Sequence, residues 1–115
     1  MFFAAVRPQL IHLLKPRQVL EQDQSVTLKC IATGQPTPKL TWWSDGKEIP
    51  ANRPRFTIVS SRLASGGIQS EATIRGLRMS DSAVYACKAE NKAGVAVTTS
   101  DLAVNGEYLF CLFLS

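Results

Sequence analysis

The stretch "YACKAENKAG", residues 85–94, decides how this chain is read. With the three residues before it, "SAVYACKAE" (82–90) alternates, so Tyr85, Cys87 and Ala89 share one face while Ala86 and Lys88 share the other. That two-residue period belongs to a half-buried β-strand. A short polar run and Gly94 close it. "GVAVTTSDLAV" (94–104) then continues with β-branched residues, its Ala96, Thr98, Leu102 and Val104 on one face. Two features of the stretch need a reason: a tyrosine two residues before a cysteine, and the missing partner of that cysteine.

Working outward, "SVTLKCIA" (25–32) alternates too, with Val26, Leu28, Cys30 and Ala32 pointing inward. "KLTWW" (39–43) places Leu40 and Trp42 on one face and Trp43 on the opposite one. "TGQPTP" between them is a loop by its Gly and two Pro, and Asp45-Gly46 is a tight-turn signal. "RFTIVS" (55–60) and "SEATIRGL" (70–77) read as strands joined through the glycine pair of "LASGGI". "GLRMSD" is short enough for a single helical turn. Near the N-terminus, "PQLIHLL" and "RQVLEQ" flank Lys15-Pro16, which reads as one edge strand split in two, because proline donates no ladder hydrogen bond. The count is about eight short strands with regular turn signals, an all-β antiparallel sandwich or barrel.

The 115 residues allow one domain, and 45% hydrophobic against 19% charged residues argues for a folded core. Thirteen Lys and Arg against nine Asp and Glu leave a net charge of +4, but the cations are scattered. No basic stripe of the nucleic-acid-binding kind exists. Among three cysteines, Cys30, Cys87 and Cys111, any two can pair with one left over. With one histidine, His12, and no CxxC, a zinc site lacks ligands. No nucleophile-elbow, phosphate-loop or dinucleotide motif occurs, and Asp81 and Glu90 have no evident carboxylate partner. Catalytic, cofactor and metal sites are therefore not expected. "MFFAAV" lacks the basic residue and length of a signal peptide, and "YLFCLFL" falls well short of the roughly 20 residues a bilayer requires. Neither run is long enough for membrane insertion by this chain to be expected, and both ends read as fragment edges, so the lack of a signal or membrane segment says little about the parent protein.

Cys30, Trp42 and Cys87 on successive inward faces, with Tyr85 two residues before the second cysteine, resemble the pattern of an immunoglobulin sandwich. "VTLKC" (26–30), "GQPTPKLTW" (34–42), "DGKEI" (45–49), "ATI" (72–74), "DSAVYAC" (81–87), "AENKAG" (89–94) and "LAV" (102–104) together resemble the I-set family over about residues 8–104. The resemblance implies two sheets joined by a Cys30–Cys87 disulfide against which Trp42 packs, worth roughly 4 kcal/mol by loop-closure entropy. It implies a tyrosine corner in which the Tyr85 hydroxyl bonds backbone between Arg78 and Asp81. It pairs Asp81 with Arg55, a pair expected to be partly exposed and to contribute about 0–1 kcal/mol. Three positions depart from the family: Ala83 where glycine is usual, Gln22-Asp23 in place of a glycine turn, and Ala72 where leucine is common. The domain boundaries follow as an N-terminal edge 1–7, the domain 8–104 and an apolar tail 105–115.

Function on this fold lies on a surface. Trp43 points outward with Ala86, Lys88, Val95 and Val97, a partly apolar face suited to a protein contact; the alternative is that Trp43 only covers its own sheet. The loops "GQPTP" and "ENKAG" are expected at one end, where Lys92 adds a charge. Lys47, Arg53, Arg55 and Arg62 are either a basic edge for a sulfated glycan or solvated charges that discourage edge pairing. No N-glycosylation sequon occurs. The expected function is non-catalytic protein–protein recognition, homophilic or heterophilic, beside neighbouring immunoglobulin or fibronectin modules. One setting is the extracellular part of a cell-surface adhesion receptor, with a resemblance to neuronal proteins of the Dscam and contactin kind. The other is an intracellular module of muscle or cytoskeleton, as in proteins similar to titin and palladin, with the two cysteines reduced.

Overall fold

The computed structural model describes residues 4–106. Among them nine strands form two sheets. Four strands, β1 (Val6–His12), β3 (Val26–Gln35), β7 (Ile68–Ile74) and β6 (Phe56–Arg62), lie in the order β1-β3-β7-β6. Five strands, β2 (Arg17–Glu21), β9 (Gly94–Asn105), β8 (Ala83–Asn91), β4 (Lys39–Ser44) and β5 (Lys47–Glu48), lie in the order β2-β9-β8-β4-β5. One 3-10 turn, Met79–Asp81, links β7 to β8.

The strand pattern agrees with the alternation read from the sequence, with three differences. β5 is a ninth strand, formed because Asp45 (φ 47°) and Gly46 (φ 81°) adopt the paired left-handed geometry of a tight hairpin turn. β3 runs on through Thr33–Gln35, which the sequence places in a loop, because β1 pairs with it as far as Val6↔Gln35. The segment around Lys15-Pro16 is not one interrupted edge strand. It is a crossing between sheets: β1 pairs antiparallel with β3, and β2 pairs parallel with β9. Leu14 anchors the crossing, buried in the core with its N–H donating to Thr98 Oγ1 at 3.0 Å. Asp101 N–H donates to the Pro16 carbonyl at 2.9 Å, so the proline serves as an acceptor where it cannot donate.

The core lies between the sheets. Leu28, Cys30, Trp42, Ile74, Leu77, Tyr85, Cys87 and Leu102 are essentially inaccessible to solvent. Burial of each large apolar side chain among them stabilises by about 1.5–3 kcal/mol. The Cys30–Cys87 disulfide joins the two sheets at the centre. Trp42 packs in the same cluster and donates its Nε1–H to Ser70 Oγ on the opposite sheet at 2.8 Å. Ser60 Oγ–H in turn donates to Ser70 Oγ at 3.0 Å. Ala72, small for its position, stands between Leu28 and Ile58 in the ladder, and both pack against the core. Asp23 takes the left-handed conformation (φ 72°) at the turn into β3, a conformation open to aspartate.

Candidate functional site

The corner before β8 is built around Asp81. Tyr85 O–H donates to the Asp81 carbonyl at 2.6 Å, the tyrosine corner that the resemblance implies. The Asp81 carboxylate accepts from Arg55 Nη1 at 3.0 Å, Arg55 Nη2 at 3.1 Å and the Arg78 N–H at 2.8 Å. The pair is partly exposed, as expected, but the exposure is carried by one partner. Asp81 is only 3% exposed, whereas Arg55 keeps 28%. The reason is local: the 3-10 turn folds the Asp81 side chain back under the guanidinium. Arg55 is held there by a left-handed backbone (φ 64°) and by the carbonyls of Arg75 and Gly76.

Burial by itself raises the Asp81 pKa. The Arg55 hydrogen bonds, the Arg78 N–H and the charges of Arg55 and Arg53 outweigh it and hold the carboxyl below its ordinary value. The bond to Asp81 outweighs burial at Arg55 and raises its pKa. Burial pushes the Tyr85 phenol up. Arg53, which sequence reasoning did not assign to this corner, lies 3.7 Å from Asp81 Oδ1 with its guanidinium over the Phe56 ring. Of the four cations at the candidate basic edge, Arg53 and Arg55 precede edge strand β6 and are engaged with Asp81, Arg62 ends that strand, and Lys47 lies on edge strand β5.

The outward face of β4, β8 and β9 carries the other candidate residues. Trp43 pairs with Ala86, which pairs with Thr99; Lys88 pairs with Val97, and Glu90 with Val95. Trp43 is half-buried, and its Nε1–H donates to Thr41 Oγ1 at 2.9 Å. Lys88 Nζ sits 4.3 Å from the Trp43 ring centroid. Such a cation–π contact is worth about 0.5–1 kcal/mol at an exposed site. Val84, Val95 and Val97 are 45%, 43% and 50% exposed. Val84 was missed in the sequence, although it alternates in phase with Ala86 and Lys88. A shallow groove of about 620 Å³ runs over Trp43, Val84, Ala86 and Val97, flanked by Lys88 and Asp45.

At one end of the sandwich Asn91 ties three segments together. Its Nδ2 donates to the Val6 carbonyl at 2.7 Å and to the Pro36 carbonyl at 3.0 Å, and its Oδ1 accepts from Ala93 N–H at 2.8 Å. The loops "GQPTP" and "ENKAG" therefore meet there, with Lys92 between Asn91 and Ala93. Sequence reasoning gave Asn91 no role; the signal available was an Asn two residues before a turn N–H, the pattern of an Asx-turn.

No group of His, Cys, Asp and Glu among the described residues has the arrangement of a metal site. No helix among them is long and apolar enough to cross a membrane. Cys111 lies outside the described residues.

The family model of the immunoglobulin I-set domain matches residues 8–104. The cell adhesion molecule Dscam1 of Drosophila melanogaster is 35% identical over 99 residues, 86% of this chain and 5% of that protein. The muscle M-line assembly protein unc-89 of Caenorhabditis elegans is 36% identical over 110 residues, 96% of this chain and 1% of that protein. The chain thus spans a small fraction of the length of these relatives. Among solved structures, the N-terminal eight immunoglobulin domains of Down Syndrome Cell Adhesion Molecule superpose with a TM-score of 0.80 at 32% identity, over 88% of this chain and 13% of that one. The family and its fold are generally non-catalytic, and its domains mediate protein–protein interactions. With the two-sheet sandwich, the inter-sheet disulfide and the tyrosine corner in place, the chain belongs to the immunoglobulin I-set family.

Proposed function

We propose that this chain is a non-catalytic protein–protein recognition module from the ectodomain of an immunoglobulin-superfamily adhesion molecule or receptor. The observation that carries the reading is the outward face of β4, β8 and β9. There an aromatic ring, two exposed valines and one lysine line a shallow groove, and a third exposed valine, Val95, lies further along β9. Interfaces are enriched in aromatic anchors ringed by polar groups. The extracellular setting is supported by the buried Cys30–Cys87 bond, which persists in oxidising compartments, and by the likeness to Dscam1. The proposed domain is residues 8–104; β1 begins at Val6 and β9 ends at Asn105, just beyond it. Further immunoglobulin or fibronectin modules are its proposed neighbours.

A second reading, a structural module of muscle or cytoskeleton, is favoured by the likeness to unc-89 over 96% of the chain. The test is to alkylate thiols in the native tissue under denaturing conditions and identify Cys30 and Cys87 by mass spectrometry, alongside labelling of intact cells with an impermeant reagent. An oxidised pair on a surface-labelled protein supports the adhesion reading. A reduced pair on an unlabelled protein replaces it with the cytoskeletal one.

A further inference from the structure

The outward face carries opposite charges at two equidistant places. Ala86 and Thr99 stand side by side at its centre, next to Trp43. Two residues along β8 in one direction is Lys88, and two residues in the other is Val84. Each step is about 7 Å. Val84 is flanked by two carboxylates. Asp101 is its ladder partner on β9, and Asp45 on the other side accepts the Val84 N–H at 2.8 Å. Arg17 is in register with Asp101 on β2, yet among the described residues the only ion pairs are those of Asp81. The Lys88 ammonium likewise has no carboxylate partner among them; it rests on the Trp43 ring.

We propose that this face binds a second copy of the same chain, resting on the recognition reading above and naming its partner. Two sheets packed face to face lie about 10 Å apart. A two-fold axis lying between them, over the Ala86–Thr99 pair and running across the strands, sets Lys88 of each copy over Val84 of the other. Each ammonium then lies between Asp45 and Asp101 of the opposite copy. The same operation brings the two Trp43 rings together at the axis, where aromatic anchors contribute most. It also brings Val95 of each copy over Ala103 and Val19 of the other, because Ala103 lies as far from Thr99 as Val95 does and Val19 pairs with it. Lys88 and the Asp45–Asp101 pair are self-complementary, as an interface that uses one patch twice requires, whereas Glu48, the ladder partner of Trp43 at the edge of the face, comes level with its own copy at the axis.

The test is sedimentation of the full chain at about 100 µM, where a dissociation constant of that order half-saturates, at low and at high salt. A dimer that weakens with salt is expected. Lys88→Glu alone and Asp101→Lys alone each raise the dissociation constant by at least about tenfold, because each places like charges together twice. An equimolar mixture of the two variants restores a dimer. The carboxylate introduced at position 88 of one variant then meets the ammonium introduced at position 101 of the other, while the native Lys88 meets the native Asp101. That rescue also shows that both variants are folded. A chain that stays monomeric, an association unchanged by the single reversals (as contact through the apolar tail would be), or a mixture that fails to associate each overturns the proposal. A monomeric chain whose Cys30–Cys87 pair is oxidised at the cell surface sinks the second copy as partner while leaving the recognition reading in place.

Discussion

Asp81→Ala tests the corner most directly. The side chain is 3% exposed and accepts three charge-assisted or backbone hydrogen bonds between 2.8 and 3.1 Å. Removing one partner of a buried pair costs about 3–5 kcal/mol, because the other charge is left without compensation. Here the remaining charge, Arg55, is 28% exposed and keeps the Arg75 and Gly76 carbonyls, so solvent and backbone recover part of that loss. The Arg78 N–H loses its acceptor. A net destabilisation of about 2–3 kcal/mol follows, a large part of the 5–15 kcal/mol typical of a domain. In urea, with a slope of about 1–1.5 kcal/mol per molar for a domain of this size, the midpoint falls by about 2 M.

Asp81→Asn keeps an acceptor for the Arg78 N–H and loses only the charge, so it costs less. It also exposes the pH dependence. The folded-state pKa of Asp81 is lowered, so its contribution is fully present above the unfolded value, about 3.9, and is lost as pH falls through the folded value. The stability difference between native chain and Asp81→Asn is therefore flat from neutral pH down to about 5 and shrinks below about 4. A loss under about 0.5 kcal/mol for Asp81→Ala, the range of an ordinary surface change, would refute the buried-pair reasoning. So would a difference that stays constant into acid.

The adjacent tryptophans separate core from surface: Trp42→Ala costs about 3–5 kcal/mol and Trp43→Ala under about 1, and thermal melts ranking them in reverse would contradict the strand register. Ser70→Ala leaves the buried Trp42 Nε1–H without its acceptor and costs about 1–3 kcal/mol in denaturant titration, whereas Ser60→Ala, at the exposed end of the same chain of bonds, costs less. Replacing Cys30 and Cys87 together by Ala removes about 2–5 kcal/mol, measured as a fall in the urea midpoint; an unchanged midpoint would mean that the bond adds nothing to the packing around it. Removing residues 107–115 leaves a cooperative melt at an unchanged midpoint, and a broad, non-cooperative transition would assign those residues to the fold.

The two-sheet fold was legible because burial on one face imposes period two, and β3, β8 and β9 obey it almost residue by residue. Tyr85 and Trp42 were legible for the same reason. What escaped the sequence depended on partners distant in the chain. Nothing local distinguishes an edge strand broken at Pro16 from a strand that changes sheets. The choice is made by β9, whose length to Asn105 offers β2 a parallel ladder. The Asp81–Arg55 pair was legible through the resemblance, but the near-complete burial of the carboxylate and the approach of Arg53 from the turn before β6 were not, because both depend on how that turn packs against the corner. Ser70 is the instructive intermediate case. It lies in phase with Ala72 and Ile74, so alternation already places a hydroxyl in the core, and a buried hydroxyl must find a partner. The indole N–H of Trp42, itself buried and in need of an acceptor, answers that requirement. The outward face follows the opposite logic. Trp43, Val84 and Lys88 lie outside the buried core cluster, on the face turned away from the other sheet. On the recognition reading proposed above, Trp43, Val84 and Lys88, gathered on one face beside Asp45 and Asp101, are the residues through which a partner would be told apart.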